Sequence, residues 1–149
     1  YLSSSFQLEV SRRRYQGWRD ALTQYHIPIT DDMIVECDTR SKAIIATPSI
    51  LQRDQRPDAI FCVNDDCAAG VLHVAKILGM TIPNDLSICG FSDAPLCRAT
   101  QPMLTTVQQH GVDIGKRAMQ RLLIRLNGDD KIPQTEMVPT DLIVRETTK

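Results

Sequence analysis

Pro57-Asp-Ala-Ile-Phe-Cys-Val-Asn-Asp-Asp-Cys-Ala-Ala-Gly70 decides the fold. Its apolar run, 59–63, has the length of a buried strand and stops at Asn64 and Asp65, where a helical pattern begins at once. Ala68, Val71, Leu72, Ala75 and Leu78 then recur at helical spacing over 66–78, and Gly79 stands where a left-handed helix end is expected. A second strand, 86–91, follows Pro83. Strand, helix and strand in this order imply an α/β fold, a parallel sheet with right-handed crossovers and helices on its faces. Asn64 and Asp65 therefore lie at the carboxyl end of a strand, beside a helix start, the place where open α/β sheets bind ligands.

The same alternation extends in both directions. Upstream, Tyr1-Leu2 reads as the stub of a strand entering the loop Ser3-Ser4-Ser5. Val10, Gly17, Trp18, Ala21, Leu22 and Tyr25 predict a helix over 9–25 with one side toward a sheet, ended by Pro28. Asp31-Asp32 leads into a short strand, 33–37, after which Asp38-Thr39-Arg40-Ser41 offers capping oxygens to a helix reaching Leu51, which Pro48 is expected to interrupt. Downstream, 91–109 lacks periodicity and contains Pro95 and Pro102, so it reads as a long loop followed by an extended crossing segment. The helix 112–126 carries Val112, Gly115, Met119, Leu122, Leu123 and Leu126 on one side and Lys116, Arg117, Gln120, Arg121 and Arg125 on the other. A turn at Asn127-Gly128-Asp129-Asp130 closes it, and strands are expected at 136–138 and 142–145.

Composition narrows the function. At 149 residues, 42% hydrophobic and 23% charged, the chain is long enough for one domain with a core. A net charge of -1, with no basic cluster beyond Arg12-Arg13-Arg14, gives it no general attraction to nucleic acid. The five cysteines are odd in number and sit mostly in apolar patterns, as free thiols of a reducing, cytoplasmic compartment do. Cys62 and Cys67 have no histidine near them in sequence to complete a zinc set, and no metal or cofactor is expected. No apolar run approaches a membrane span, and no secretory signal is expected. His26, His73 and His110 stand apart, and there is no nucleophile elbow, P-loop or glycine fingerprint, so no catalytic constellation is available to an enzyme.

The two strand-end stretches, with Ile82-Pro-Asn-Asp-Leu-Ser-Ile-Cys-Gly-Phe-Ser-Asp93 running on to Pro102-Met-Leu-Thr-Thr-Val-Gln-Gln109, resemble the effector-binding domain of LacI/GalR-type bacterial transcription regulators over nearly the whole chain. Asn64, Asp65, Ala68 and Gly70 match that family's Asn-Asp-x-x-Ala-x-Gly run, and Arg14, Gly17 and Trp18 its Arg-x-x-Gly-aromatic sequence. The resemblance implies the C-terminal lobe of a periplasmic-binding-protein-like two-lobed fold. It assigns 1–103 and 140–149 to that lobe and 104–139 to a crossover strand, helix and strand of the N-terminal lobe. The DNA-binding headpiece and the rest of the N-terminal lobe would lie upstream, consistent with a start that has no initiator Met.

The resemblance makes Arg14, Asn64, Ser92 and Gln109 the effector-binding residues, with Thr39, Asp65 and Asp93 as further candidates. Residue chemistry alone allows each a plainer role: Arg14 as one arginine of an exposed face, Asp65 as the cap of the following helix, Ser92-Asp93 as a turn pair. Capping is favoured for Asp65 and ligand contact for Asn64, whose amide both donates and accepts. Ser92 stands where the family commonly has an aspartate, and Thr39 where it often has an aromatic ring. The effector expected is a small molecule, a sugar in the first place, and DNA would be reached only through the headpiece. A homodimer is expected through Ala69, His73, Leu96, Cys97 and Arg98, and the stripe of the 112–126 helix is expected to drive self-association of the segment alone. A periplasmic sugar receptor shares the fold and is the alternative, against which the cysteines and the missing signal argue.

Overall fold

The computed structural model describes residues 1–128 and 132–149. Its elements are β1 (Leu2–Ser3), α1 (Glu9–Gln24), β2 (Val35–Glu36), α2 (Arg40–Leu51), β3 (Ala59–Phe61), α3 (Asp65–Ile77), β4 (Ser87–Ser92), α4 (Leu96–Ala99), β5 (Thr105–Gln108), α5 (Gly111–Leu126) and β6 (Asp141–Ile143). β1 pairs in parallel with β2, and a parallel bridge from Leu2 to Cys62 sets β1 beside the end of β3. β3, β4 and β5 continue in parallel, and β6 closes the edge antiparallel to β5 with Gln108 opposite Asp141. The α/β architecture and its parallel-dominated sheet are those the strand, helix, strand alternation predicts.

The core lies between this sheet and α2 and α3. Ile60, Cys62, Val71, Ala75, Leu86, Ile88 and Leu104 are among its buried members. Gly70 is needed there because a Cβ would come within 2.8 Å of both the Ala43 Cβ and the Arg40 carbonyl, so its absence sets how closely α2 and α3 approach. The predicted stop at Gly79 is present: its φ is +74°, the Met80 amide donates to the Ala75 carbonyl, and the Gly79 amide to that of Lys76. Both bonds satisfy carbonyls the helix end leaves open. Thr147 stitches the C-terminal tail to the sheet, donating from its hydroxyl to the Ile88 carbonyl and accepting from the Thr105 amide.

Several expectations are corrected. Pro48 does not interrupt α2; it lies in the last turn of a continuous helix, where only one amide bond is lost. The strand expected at 33–37 is reduced to β2 by a 3-10 turn at Asp31–Met33. The 91–109 segment includes α4, and the start of the 104–139 segment expected in the N-terminal lobe belongs here instead: Leu104 is in the core and β5 pairs with β4. No strand forms at 136–138, since no strand of the described residues pairs with it. α1 sets only one edge against the sheet, through Ser11 and half-buried Arg14, Tyr15, Trp18 and Leu22, while Val10 and Tyr25 are exposed. Asp129 and Asp130 of the predicted turn lie outside the described residues. Among the described residues, no helix is long and apolar enough to cross a membrane.

Candidate functional site

The parallel strands end on one side of the sheet, and the predicted residues gather at those ends. Asn64 follows β3, Ser92 ends β4, Gln109 follows β5, and Thr39 lies between β2 and α2. Arg14 reaches this edge from α1. Its Nη1 donates to the carbonyl of Val63, the residue before Asn64, at 2.5 Å, and its guanidinium carbon lies 3.9 Å from the centroid of Phe91, the residue before Ser92. One cation thus touches the ends of both central strands. Burial draws the Arg14 pKa below its ordinary value, offset by Tyr1 and Asp65, and an arginine so shifted stays charged.

A connected run of rings supports Arg14. Phe91 meets Phe61 edge-on at 6.4 Å, Phe61 stacks with Tyr1 at 5.6 Å, and Tyr1 with Trp18 of α1 at 5.5 Å. This packing holds α1, and with it Arg14, at a fixed height over the strand ends. The Tyr1 hydroxyl is buried without a hydrogen-bond partner among the described residues, and burial pushes the phenol pKa up.

Asp65, expected to cap α3, does not. Asn64 is the cap: its Oδ1 accepts from the Cys67 amide at 2.8 Å, while its Nδ2 donates to the Asp38 carbonyl at 2.8 Å. It is half-buried and keeps one N–H and one acceptor position for a ligand. Asp65, 2% exposed, neither caps nor faces solvent. Its carboxylate accepts from the Thr106 hydroxyl at 2.5 Å and the Ala94 amide at 2.8 Å, tying α3 to β5 and to the loop after β4. Gly90 makes room for it, since a Cβ there would strike the Asp65 side chain.

Asp93 is likewise withdrawn from any ligand. Its side chain, 3% exposed, bonds Arg145 at 2.6 Å and Arg98 at 2.8 Å. Ser92 is exposed, and its hydroxyl donates to Gln109 Oε1 at 3.4 Å, so these two side chains adjoin. Ser92 and Asp93 have φ of +124° and +54°, a turn conformation that aims their side chains apart. The Thr39 hydroxyl caps α2 by accepting from the Lys42 amide at 3.3 Å.

The expected dimer residues form a second patch. Ala69, His73 and Leu96 line a cleft of about 310 Å³ between α3 and α4, together with Arg40, Lys76 and Gln101 among others. Arg98 is exposed on the same short helix. Cys97 is the exception: it has no exposure and packs in the core, so it cannot touch a partner directly. The other thiols are free and, apart from half-buried Cys89, also buried. Burial pushes Cys37 and Cys97 up to about 12 and Cys89 up to about 11, leaving them as protonated, apolar packing groups at neutral pH. No group of three or more His, Cys, Asp or Glu among the described residues is placed to hold a metal ion.

Sequence reasoning missed Asp65 as a buried tie, Gly90 as its clearance and Arg145 as the partner of Asp93. The Thr105-Thr106 pair was the available signal for the first, because a hydroxyl on an interior strand needs a partner.

The profile of the periplasmic binding protein-like domain matches residues 1–148. Catabolite control protein A of Priestia megaterium is 36% identical over 138 residues, 92% of this chain and 42% of its own. The HTH-type transcriptional repressor PurR of Vibrio vulnificus is 32% identical over 152 residues, 99% of this chain and 45% of its own. A solved regulatory protein of the LacI family from Chloroflexus aggregans superposes with a TM-score of 0.90 at 28% identity, covering 99% of this chain and 54% of its own. The chain spans about half the length of the relatives it matches. Motifs, sheet order and similarity agree, and the chain belongs to the periplasmic binding protein-like domain family in the form found in LacI/GalR-type regulators.

Proposed function

We propose that the chain is the ligand-sensing part of a transcriptional regulator, binding a small effector, a carbohydrate, between this lobe and a second one. The convergence of Arg14, Asn64, Ser92 and Gln109 on one sheet edge carries the reading. Residues 1–108 and 141–149 form the lobe, a division that the pairing of β5 and β6 in its sheet supports, and the segment between them makes the excursion to the other. Two copies pair through Ala69, His73, Leu96 and Arg98, and operator DNA is held by headpieces outside this segment, in the cytoplasm. Similarity to the HTH-type transcriptional repressor PurR supports this reading.

Effector binding acts by population shift. Two lobe arrangements exist, and an effector that prefers one of them changes the spacing of the headpieces; equal affinity for both would move nothing. The test is operator binding by the full-length protein, followed by fluorescence anisotropy against a panel of pentoses, hexoses and their derivatives. The expected result is one compound that both raises the melting temperature and changes operator affinity at least fivefold. Ligand binding with unaltered operator affinity in every case would reject the sensor role.

A further inference from the structure

Two of the thiols are in contact. The sulfurs of Cys37 and Cys67, both fully buried, lie 3.6 Å apart, and the Cys67 thiol donates to the Cys37 carbonyl at 3.2 Å. The pair joins separate pieces of the fold: Cys37 follows β2, and Cys67 lies in the first turn of α3. A disulfide needs its sulfurs about 2.05 Å apart, so a closure of about 1.5 Å separates this contact from a bond.

Asn64 spans the same two pieces. Its Nδ2 donates to the carbonyl of Asp38, the residue after Cys37, and its Oδ1 accepts from the Cys67 amide. A bond between the sulfurs runs alongside these two hydrogen bonds and makes permanent a junction that they hold reversibly.

While the fold is closed the pair is inert. Burial pushes the Cys37 thiol up to about 12, and Cys62, with burial, raises that of Cys67, so neither is a nucleophile there. Access comes from the weak side. β2 is two residues long and pairs with a β1 of the same length, and Cys37 stands between exposed Glu36 and half-buried Asp38. Short edges of this kind open locally at a small fraction of the free energy of global unfolding, and an opened Cys37 regains the reactivity of an ordinary thiol.

We propose that Cys37 and Cys67 form a reversible disulfide under oxidation by hydrogen peroxide, fastening the loop after β2 to the first turn of α3 beneath Asn64. The Cys37 sulfur attacks a peroxide oxygen, the O–O bond breaks, and a sulfenic acid forms with release of one water. The Cys67 sulfur then displaces the sulfenic hydroxyl, which leaves as a second water carrying the Cys67 proton. Two thiols give up two electrons, and the peroxide takes them. The bond stands apart from the sensor reading; that it fixes Asn64 for ligand binding rests on that reading.

The test treats the full-length protein with hydrogen peroxide, alkylates it with N-ethylmaleimide after denaturation, and maps it by mass spectrometry without reduction. An endoproteinase that cuts before Asp65 and Asp66 separates Cys62 from Cys67. The expected product is a Cys37–Cys67 cross-link, two hydrogens lighter than its separate peptides and removed by dithiothreitol. C62A should keep it, and C37A and C67A should each lose it. In the unsubstituted protein, oxidation should raise the melting temperature by at least about 3 °C. It should also slow hydrogen exchange about tenfold in 38–42 and 64–68 while leaving 111–126 unchanged. A link from Cys67 to Cys62 in place of Cys37, sulfinic acid at single cysteines without a link, or a link that alters neither melting nor exchange overturns the proposal. None of these measurements uses a ligand, so each outcome leaves the sensor reading to its own test.

Discussion

Helices α3 and α5 look alike as patterns and differ completely as structure. α3 buries nine of its thirteen residues against the sheet and α2, whereas α5, sixteen residues long, buries none. Leu72 of α3 is 3% exposed, but Leu122 and Leu123 of α5 are each 51% exposed and Val112 73%. Both stripes carry the same kind of side chain, each worth about 1.5–3 kcal/mol when fully buried. The difference lies in what stands beside them. α3 crosses directly from β3 to β4 and meets a surface made by the same chain, while α5 follows β5 out of the sheet and its apolar side is buried by none of the described residues. An apolar stripe states that burial is needed; only topology says whether the chain supplies it.

The sharpest way to break this comparison is at the start of α3. Asp65→Ala removes the acceptor of one buried and one part-buried donor, and unfolding in urea should show a loss of about 3 kcal/mol. A loss below about 1 kcal/mol would mean that α3 is anchored by apolar packing alone. Next in size is Asn64→Ala, which removes the cap of α3 and its tie to Asp38; the expected cost is about 1 kcal/mol by the same measurement, with Asn64→Ser retaining most of the stability. The smallest change falls on the other helix. Leu122→Asp should alter the unfolding free energy of the monomer by less than about 0.5 kcal/mol, yet convert a self-associating 149-residue segment into a monomer by sedimentation velocity. If the unsubstituted segment sediments as a monomer, the stripe of α5 does not need a partner and the contrast with α3 loses its meaning.

How much was legible follows from how local each signal is. The strand at 59–63, the helix after it and the Gly79 stop are written in neighbouring residues, and the structure holds all three. Arg14, Asn64, Ser92 and Gln109 could be named because each sits at a punctuation point or in a motif. Their plain neighbours misled. Whether Asn64 or Asp65 caps α3 depends on a helix start that shifts by one residue, a distinction periodicity does not make. Asp93 could not be excluded as a ligand from its surroundings in sequence, because Arg145 is 52 positions away. The strand expected at 136–138 had suitable residues, but strands exist only as pairs, and pairing is a property of the whole sheet.

The bonds of Asp65 have a mechanical corollary. Because one buried carboxylate clamps Ala94 and Thr106 together, the tips of the central strands translate as a single block, and torque cannot be absorbed among them. Movement of α5 relative to this block is expected to fall on the short crossing after Gln109. There His110, with φ +53° and ψ +48°, forms an elbow braced against Asp141 on the returning strand. The pairing of β5 with β6 keeps the outgoing and incoming chains side by side at that point.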